Sequence, residues 1–181
     1  MPSARGTLTW SPAAAHPELV AAPVAAALAA PDLADVMAAE VAPIDATLAD
    51  TAEFCAAYDV SLAASANCVI VAGKRAGETT YAAVMVLATD RADINGVVRK
   101  HLGVRKISFA SMDEAVELTG MEYGGITPIG LPADWPVLVD AAVVAAGPVV
   151  IGSGVRASKL LLDGADLAAL PTAEVLDLRQ H

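Results

Sequence analysis

The chain has 181 residues, of which 56% are hydrophobic and 4% aromatic, and its formal net charge at pH 7 is −10. This length suits one folded domain, and the high hydrophobic content excludes a disordered chain. The acidic balance argues against a general affinity for nucleic-acid backbones.

The first third of the sequence predicts two strands and two helices. A strand is expected at residues 7–10 and a helix at residues 17–30, although Pro23 weakens that helix. The apolar run at residues 35–44 predicts a second strand. Residues 47–58 have the loose helical spacing of a second helix.

The middle of the chain predicts a β-hairpin followed by a helix. Residues 67–73 and 79–88 are apolar and rich in β-branched side chains, and a turn-like KRAGE joins them. Asp93 suits the N-cap of a helix that carries apolar residues at helical spacing and stops at Gly103.

A further strand and helix are expected before the glycine-rich part of the chain. The strand is predicted at residues 106–110 and the helix at residues 111–120. Ser111 and Glu114 have the spacing of a capping box, which predicts where this helix begins.

The last third predicts short strands bounded by glycine, proline and aspartate. They are expected at residues 135–140, 148–154, 158–163 and 174–178, with a helical turn at residues 166–170. Hairpin-length connections outnumber crossover-length ones. The sequence therefore favours an α+β fold, with a mixed, mostly antiparallel central sheet flanked by helices, over a doubly wound fold.

Positive charge is concentrated between residues 74 and 106. This segment holds seven basic and three acidic side chains, a net of +4, whereas the segments before and after it each carry −7. One interpretation is a solvated surface of helix and loop ends. The other is a local patch for a phosphate backbone, formed by Lys74, Arg75, Arg99, Lys100, Arg105 and Lys106.

The cysteine and histidine residues form no recognisable site in the sequence. Cys55 and Cys68 lack CxxC spacing and have no histidine nearby, which predicts buried thiols rather than a disulfide framework or a zinc site. His16, His101 and His181 are scattered, so no Ser-His-Asp or Cys-His constellation is visible. We therefore expect neither a metal nor a cofactor.

The alanine-rich segment at residues 13–30 differs from a secretory signal. Only Arg5 precedes it, and its apolar run is interrupted by His16, Pro17, Glu18 and Pro23. No window has the roughly 18 uncharged apolar residues of a membrane span. The expected location is the cytoplasm, without a membrane partner.

The sequence GGITP at residues 124–128 is unusually rich in backbone-directing residues. It follows a predicted helix rather than a strand and lacks a following Lys-Ser, so it matches neither phosphate-binding glycine motif. Gly124 and Gly125 allow positive φ and close approach of a ligand, and Pro128 fixes the exit of the chain. The segment is either an ordinary loop or a backbone cradle for an anionic or carbonyl group.

Several motifs around this loop occur in an order that resembles a known family. The run LTGMEYGGITPIGL, then WPVLVDAAV, then VVIGSGVRASKLLL is similar to the YbaK/prolyl-tRNA synthetase-associated domain family. The resemblance includes VVRKHLGVRKISFASMDEAVELTG and extends from about Asp45 to Asp177. It implies one α+β domain over residues 1–181, with a core at about 45–177 and an N-terminal extension at 1–44.

The resemblance implies an activity and a set of site residues. Family members hydrolyse the ester that joins a wrong amino acid to the 3′ end of tRNA, using a positioned water and the ribose hydroxyl of the tRNA. The backbone amides of the loop that corresponds to Gly124, Gly125, Ile126, Thr127 and Pro128 line their aminoacyl pocket. The same match assigns substrate binding to Asp140, Gly152, Ser153 and Gly154.

The resemblance also implies partners. Mischarged aminoacyl-tRNA is the expected substrate, with the six basic residues of the patch on its backbone, and an aminoacyl-tRNA synthetase is a further candidate partner. Neither a metal nor a membrane is among them.

One position departs from the family pattern. The first hairpin strand of the family begins with a lysine, in a pattern like FKTLLV, whereas ANCVIV places Asn67 there among the catalytic candidates. Lys74 lies more than about 20 Å further along an extended strand and does not replace it, and Cys68 is predicted to be core. Three hypotheses follow: a deacylase, a homologue that binds aminoacyl-tRNA ends or a related small ligand without turnover, and a plain structural protein.

Overall fold

The computed structural model describes residues 3–181 and shows an α+β fold with two sheets. The strands are β1 (Ser11–Pro12), β2 (Glu40–Pro43), β3 (Ala66–Arg75), β4 (Glu78–Leu87), β5 (Lys106–Phe109), β6 (Val137–Asp140), β7 (Pro148–Gly152), β8 (Ser158–Asp163) and β9 (Ala173–Leu176). The helices are α1 (Ala22–Ala29), α2 (Pro31–Ala34), α3 (Thr51–Tyr58), α4 (Arg99–His101), α5 (Met112–Thr119) and α6 (Ala141–Val144).

The strands divide between a four-stranded and a five-stranded sheet. The smaller sheet has the order β1-β2-β8-β7 and is antiparallel throughout. The larger has the order β5-β3-β4-β6-β9, in which β6 is parallel to both of its neighbours and the other pairs are antiparallel. The predicted α+β class with mixed, mostly antiparallel pairing is confirmed, although two sheets replace the single central sheet.

The N-terminal segment differs in detail from the prediction. Residues 7–10 form no strand, because Thr7 donates its N–H to the Tyr58 carbonyl and the Trp10 indole donates to the Arg5 carbonyl. The predicted helix at residues 17–30 is shorter and begins at Ala22, which puts Pro23 in the first turn, where its missing N–H costs nothing.

The central hairpin agrees with the prediction over its full length. β3 and β4 pair over ten residues each, and Ala76 and Gly77, both with positive φ, form a two-residue turn of the kind that matches strand twist. Asp93 caps a π-helical turn, Ile94–Val98, that leads into α4. The capping box of Ser111 and Glu114 is present at the start of α5.

The N-terminal extension is part of the main core. Val24 and Leu28 of α1 and Val41 of β2 are buried in one cluster with Met85 and Ile151 from the two sheets. Fully burying side chains of this size contributes about 1.5–3 kcal/mol each, so the extension stabilises the same body as the rest of the chain. No helix within residues 3–181 has both the length and the apolar character that a membrane crossing requires.

A backbone bridge between the two sheets positions the site. A parallel bridge joins Ser65, just before β3, to Val150 of β7. β5 pairs only with Val71–Lys74, so among the described residues no strand covers that edge of β3 from Ala66 to Ile70. The gap along this uncovered edge is the main cavity.

Candidate functional site

The main cavity has a volume of about 490 Å³ and lies between the uncovered edge of β3 and strand β7. The β3 side contributes residues 66–70, and the β7 side contributes Val150, Ile151 and Gly152. The start of α3, the end of β5 and the turn at Tyr123–Gly124 complete the walls. The volume suits a small organic group rather than a macromolecule.

The GGITP segment contributes only part of itself to this cavity. Gly124 and Ile126 line it, whereas Gly125, Thr127 and Pro128 are buried behind it. The prediction that all five residues line one pocket is therefore too broad. Pro128 instead lines a second, smaller cavity of about 220 Å³.

Two backbone N–H groups of the loop remain for a ligand. Gly125 donates its N–H to the Glu122 carbonyl. Within residues 3–181, the N–H groups of the two lining residues, Gly124 and Ile126, have no acceptor. Unpaired donors of this kind can stabilise negative charge on a carbonyl oxygen.

Glycine is required at these positions for different physical reasons. Gly124 adopts φ +88°, which side chains with a Cβ rarely tolerate. A Cβ on Gly125 would lie 2.6 Å from the Val155 carbonyl oxygen, and a Cβ on Gly152 would lie 2.6 Å from the Gly125 carbonyl oxygen. The loop and the segment after β7 therefore pack backbone against backbone, with no room for a side chain between them.

The GSG turn supports the loop more than it contacts the cavity. Gly152 lines the cavity, but Ser153 and Gly154 are buried and do not. The Gly154 N–H donates to the Gly125 carbonyl at 2.7 Å, and the Ser153 hydroxyl donates to the Ser158 carbonyl at 3.0 Å. Of these three residues, all predicted to bind substrate, one therefore lines the cavity and the other two support the loop.

Asp140 does not line the cavity, in contrast to its predicted place beside the substrate. Its side chain is fully buried at the end of β6. One carboxylate oxygen accepts the Ala142 N–H and the other accepts the Leu178 N–H, each at 2.8 Å. Asp140 therefore joins the start of α6 to the C-terminal segment, which is a structural role.

Asn67 lines the cavity near the start of β3. Its side-chain oxygen accepts a hydrogen bond from the Thr51 hydroxyl at 2.7 Å, so the start of α3 holds it in place. The next residue, Cys68, packs against the main core and also borders the cavity. Burial raises the pKa of the Cys68 thiol to about 12, so it remains protonated and is a poor nucleophile at neutral pH.

Lys159 is a cavity residue that the sequence reasoning did not identify. It lies on β8 between β2 and β7, is 8% exposed, and borders the cavity. Its Nζ donates to the Ala49 carbonyl at 2.8 Å and lies 5.1 Å from the centre of the Phe54 ring. The available signal was the position of this lysine in SKLLLD, directly before three consecutive leucines.

Burial dominates the electrostatics of this lysine. Desolvation lowers the pKa of Lys159 to about 8 from an ordinary 10.5, an effect that nearby Arg156 increases and Asp50 and Cys55 oppose. A carbonyl oxygen and an aromatic face are both partners of a cation. The contacts therefore fit an ammonium group at neutral pH.

The mouth of the cavity has an ion pair and two exposed aromatic rings. Arg156 lies 3.2 Å from Asp50, and its guanidinium also donates to the Ala46 and Tyr123 carbonyls, which ties the chain before α3 to the turn at Gly124. Phe109 is 63% exposed and Tyr123 51% exposed, and both border the opening. Exposed rings beside an opening can stack against planar groups.

The six predicted basic residues lie at the opposite end of the hairpin from the cavity. Lys74 of β3 and Lys106 of β5 are directly opposite each other in the antiparallel register. Five of the six side chains are exposed and Arg99 is half-buried; the set is Lys74, Arg75, Arg99, Lys100, Arg105 and Lys106. None borders the cavity, but β5 runs from Lys106 to the lining residue Phe109, about 10 Å away.

Among residues 3–181, no three or more His, Cys, Asp or Glu side chains are grouped so that they could hold a metal ion. The polar side chains that line the cavity include Asp50, Thr51, Ser65, Asn67 and Lys159.

Three solved structures share this fold. A candidate trans-editing enzyme for prolyl-tRNA synthetase is 23% identical, with a TM-score of 0.67 over 78% of this chain and 86% of its own. A scaffold protein used for computational grafting of linear epitopes is 21% identical, with a TM-score of 0.74 over 89% and 97%. A hypothetical protein is 26% identical, with a TM-score of 0.65 over 76% and 86%.

The sequence itself matches a family model. Residues 45–170 match the aminoacyl-tRNA editing domain, a span that includes the uncovered edge of β3, the GGITP loop and Lys159. The resemblance predicted from the ordered motifs is confirmed, and the chain belongs to the aminoacyl-tRNA editing domain family.

Proposed function

We propose that this protein is a trans-acting deacylase that hydrolyses the ester bond of mischarged tRNA. The observation that carries the proposal is the cavity of about 490 Å³ in a chain of the editing family, lined by Gly124 and Ile126, whose N–H groups have no acceptor among the described residues. The proposed site of action is the cytoplasm, where tRNA is charged, and a synthetase is a proposed further partner.

The cavity residues suit water-mediated ester hydrolysis. A water oxygen adds to the ester carbonyl carbon and loses a proton, and the carbonyl oxygen becomes negative. The carbonyl bond then re-forms as the bond to the ribose oxygen breaks, the ribose oxygen takes up a proton, and the new carboxyl group loses its proton to water, so the amino acid leaves as a carboxylate. The N–H groups of Gly124 and Ile126 are proposed to bind the oxygen while it is negative, which requires no protein nucleophile.

The basic end of the hairpin supports a role in holding the tRNA. Like charges directly opposite on antiparallel strands are destabilising, yet Lys74 faces Lys106. A phosphate backbone would neutralise this repulsion and release counterions. With the cavity about 10 Å beyond Lys106 along β5, the proposed path of the acceptor end runs from the patch to the opening near Phe109.

A panel of mischarged tRNAs tests the function directly. Purified protein is incubated with alanine, cysteine, serine and threonine esterified to several tRNAs, and loss of the ester is followed against protein-free buffer and against correctly charged tRNAs. We expect faster loss for at least one mischarged member. Ester loss no faster than in buffer across the panel would refute the deacylase function.

Binding without turnover is the second candidate, because Asn67 is neutral and is already bonded to Thr51. Asn67→Lys discriminates between the two functions. Activity that appears only in the variant supports the binding protein, whereas a drop from measurable wild-type activity supports the deacylase with a different arrangement of polar groups. A bound tRNA whose ester survives in the wild type is the expected signature of this second function.

A further inference from the structure

We propose that Lys159 is a catalytic residue of this site, whose ammonium group binds the ester carbonyl oxygen as that oxygen becomes negative. This inference rests on the proposed deacylase function and adds a residue to it. The role concerns an electrostatic contact, so the bonds made and broken remain those of water-mediated hydrolysis.

The position of Lys159 supports a contact with the reacting group rather than with the tRNA backbone. Its side chain is almost completely buried, and its strand neighbour Gly152 lies against the GGITP loop. A nucleotide phosphate would have to enter the cavity to reach Nζ, whereas an aminoacyl group is the part of the substrate that fits inside. The remaining charged groups near the opening, Asp50 and Arg156, are paired with each other.

The hydrogen bonds of Lys159 leave capacity for a ligand. An ammonium group has three N–H donors, and among the described residues the Ala49 carbonyl is the hydrogen-bond acceptor that Nζ contacts. The Phe54 ring holds the same group through its face. The amine is thus fixed in position by two partners and has donors left over, in the cavity that Gly124 and Ile126 also line.

The charge of the cavity makes Lys159 the natural partner of an anion. Asn67 is neutral, and the Cys68 thiol, whose pKa burial raises to about 12, stays neutral as well. The groups that face the ammonium are Asp50, the residue just before α3, Cys55 in the middle of α3, and Arg156 from the segment before β8. A cation held in a weakly hydrated cavity attracts a developing negative charge more strongly than a surface lysine does.

The ester carbonyl oxygen carries no full charge in the ground state, so this contact strengthens as the reaction proceeds. Removing the cation is therefore expected to lower kcat more than it raises KM. Loss of one oxyanion donor typically costs roughly 100-fold in kcat. A phosphate contact would have the opposite signature, a raised KM with kcat preserved.

The test uses Lys159→Met, Lys159→Arg and, as a matched control, Arg91→Met, which removes an exposed cation outside both the cavity and the patch. With the best ester from the panel, we expect Lys159→Met to lose roughly 100-fold in kcat with KM changed by less than about 3-fold. Arg91→Met is expected to match the wild type. Lys159→Arg is expected to retain more activity than Lys159→Met, because it keeps the charge.

The pH profile supplies a readout that a purely structural lysine would not move. After subtraction of the buffer rate, kcat of the wild type is expected to fall as pH rises through about 8, where the ammonium loses its proton. Lys159→Arg is expected to show no such fall between pH 7 and 9, because guanidinium stays charged.

The outcomes separate the two proposals. A wild type that deacylates normally while Lys159→Met keeps its kcat overturns the role of Lys159 and leaves the deacylase function standing. A kcat that rises through pH 8 only when Lys159 is present overturns the ammonium role in favour of a neutral base. A wild type without activity on any ester refutes the deacylase function and this role together, and thermal unfolding checks that each variant is folded.

Discussion

The two ends of strand β3 are built by opposite means. At the cavity end, backbone packs against backbone, and the few polar groups are buried and held by neighbours, as with Asn67 on Thr51 and Lys159 on Ala49. At the far end, the cations are mostly exposed long side chains on strand ends and a short helix. The first arrangement suits a small group held in one place, and the second suits a large polyanion bound mainly through its charge.

This difference has consequences for mutations. Changes at the cavity end should alter stability and turnover, since little can move there without a clash. Changes at the basic end should alter affinity and its salt dependence while leaving the fold intact. Each of the following mutations tests whether stability and turnover change independently of affinity and its salt dependence.

The largest expected effect concerns the buried charge of Lys159. Its pKa in the folded protein, about 8, lies below the ordinary 10.5, so between these values the unfolded chain binds more protons. The free energy of unfolding should therefore rise with pH over this interval, by about 3 kcal/mol from this group. Denaturant unfolding at several pH values should show a free energy of unfolding that increases more with pH in Arg91→Met than in Lys159→Met, since other groups such as Cys68 contribute equally to both variants. Equal pH dependence in both variants would show that Lys159 is not the buried cation.

Gly125→Ala tests the backbone wall. The added Cβ would lie 2.6 Å from the Val155 carbonyl oxygen, and backbone cannot rotate away as a side chain could. We expect a loss of about 2 kcal/mol or more in the free energy of unfolding, together with lost turnover.

The control for this change is Gly77→Ala at the hairpin turn, where φ is +80° and nothing lies within 4 Å of the new Cβ. It should cost about 1 kcal/mol from backbone strain, with turnover unchanged. A Gly125→Ala protein as stable and active as the wild type would mean that the loop and the GSG turn are not tightly packed.

The double charge reversal Arg99→Glu with Lys100→Glu tests the basic end. We expect affinity for tRNA to fall about 10-fold at low salt, and the slope of log affinity against log salt to decrease by about 2. Thermal unfolding should be nearly unchanged. Lys100 is exposed, and among the described residues the Arg99 side chain donates a hydrogen bond only to the Asn95 carbonyl. Filter binding across a salt series measures both quantities. Affinity for tRNA that does not depend on salt would contradict a backbone-binding patch.

The smallest effect is expected for Lys106→Glu, which turns a repulsive cross-strand pair with Lys74 into an attractive one. Stability should increase by about 0.5 kcal/mol while tRNA affinity decreases. Lys106→Gln, which only removes the repulsion, should lie between the two proteins in both measurements. A parallel decrease of stability and affinity would show that this end is structural rather than a binding surface.

Local patterns predicted much of the fold. The hairpin of β3 and β4, the capping box at Ser111 and the helical stop at Gly120 depend on residues close in the chain, and the structure has all three. The pairing of β2 with β8 joins residues more than a hundred positions apart, and no local pattern encodes it. For that reason the division into two sheets did not follow from the sequence.

The site was predictable only where the residues of a single motif determine the local backbone geometry. The GGITP loop and Asn67 do border the cavity, but tertiary packing decides that Pro128 lies on another cavity and that Asp140 caps a helix. The sequence did not identify Lys159 because the pattern of a strand indicates which residues are buried but not which cavity a buried side chain borders. The burial of a lysine among leucines was the one available indication.

The backbone-to-backbone contact between the GGITP loop and the GSG turn also limits how this site can diversify. Gly124, Gly125 and Gly152 offer no side chain whose size could be changed by a single substitution without a clash or strain. If the proposed deacylase function holds, new selectivity for amino acids is therefore expected mainly on the facing wall, at Asn67, Cys68, Val69 and Phe109. The wall formed by the loop and the turn therefore keeps its shape, whereas the facing wall can change shape through single substitutions.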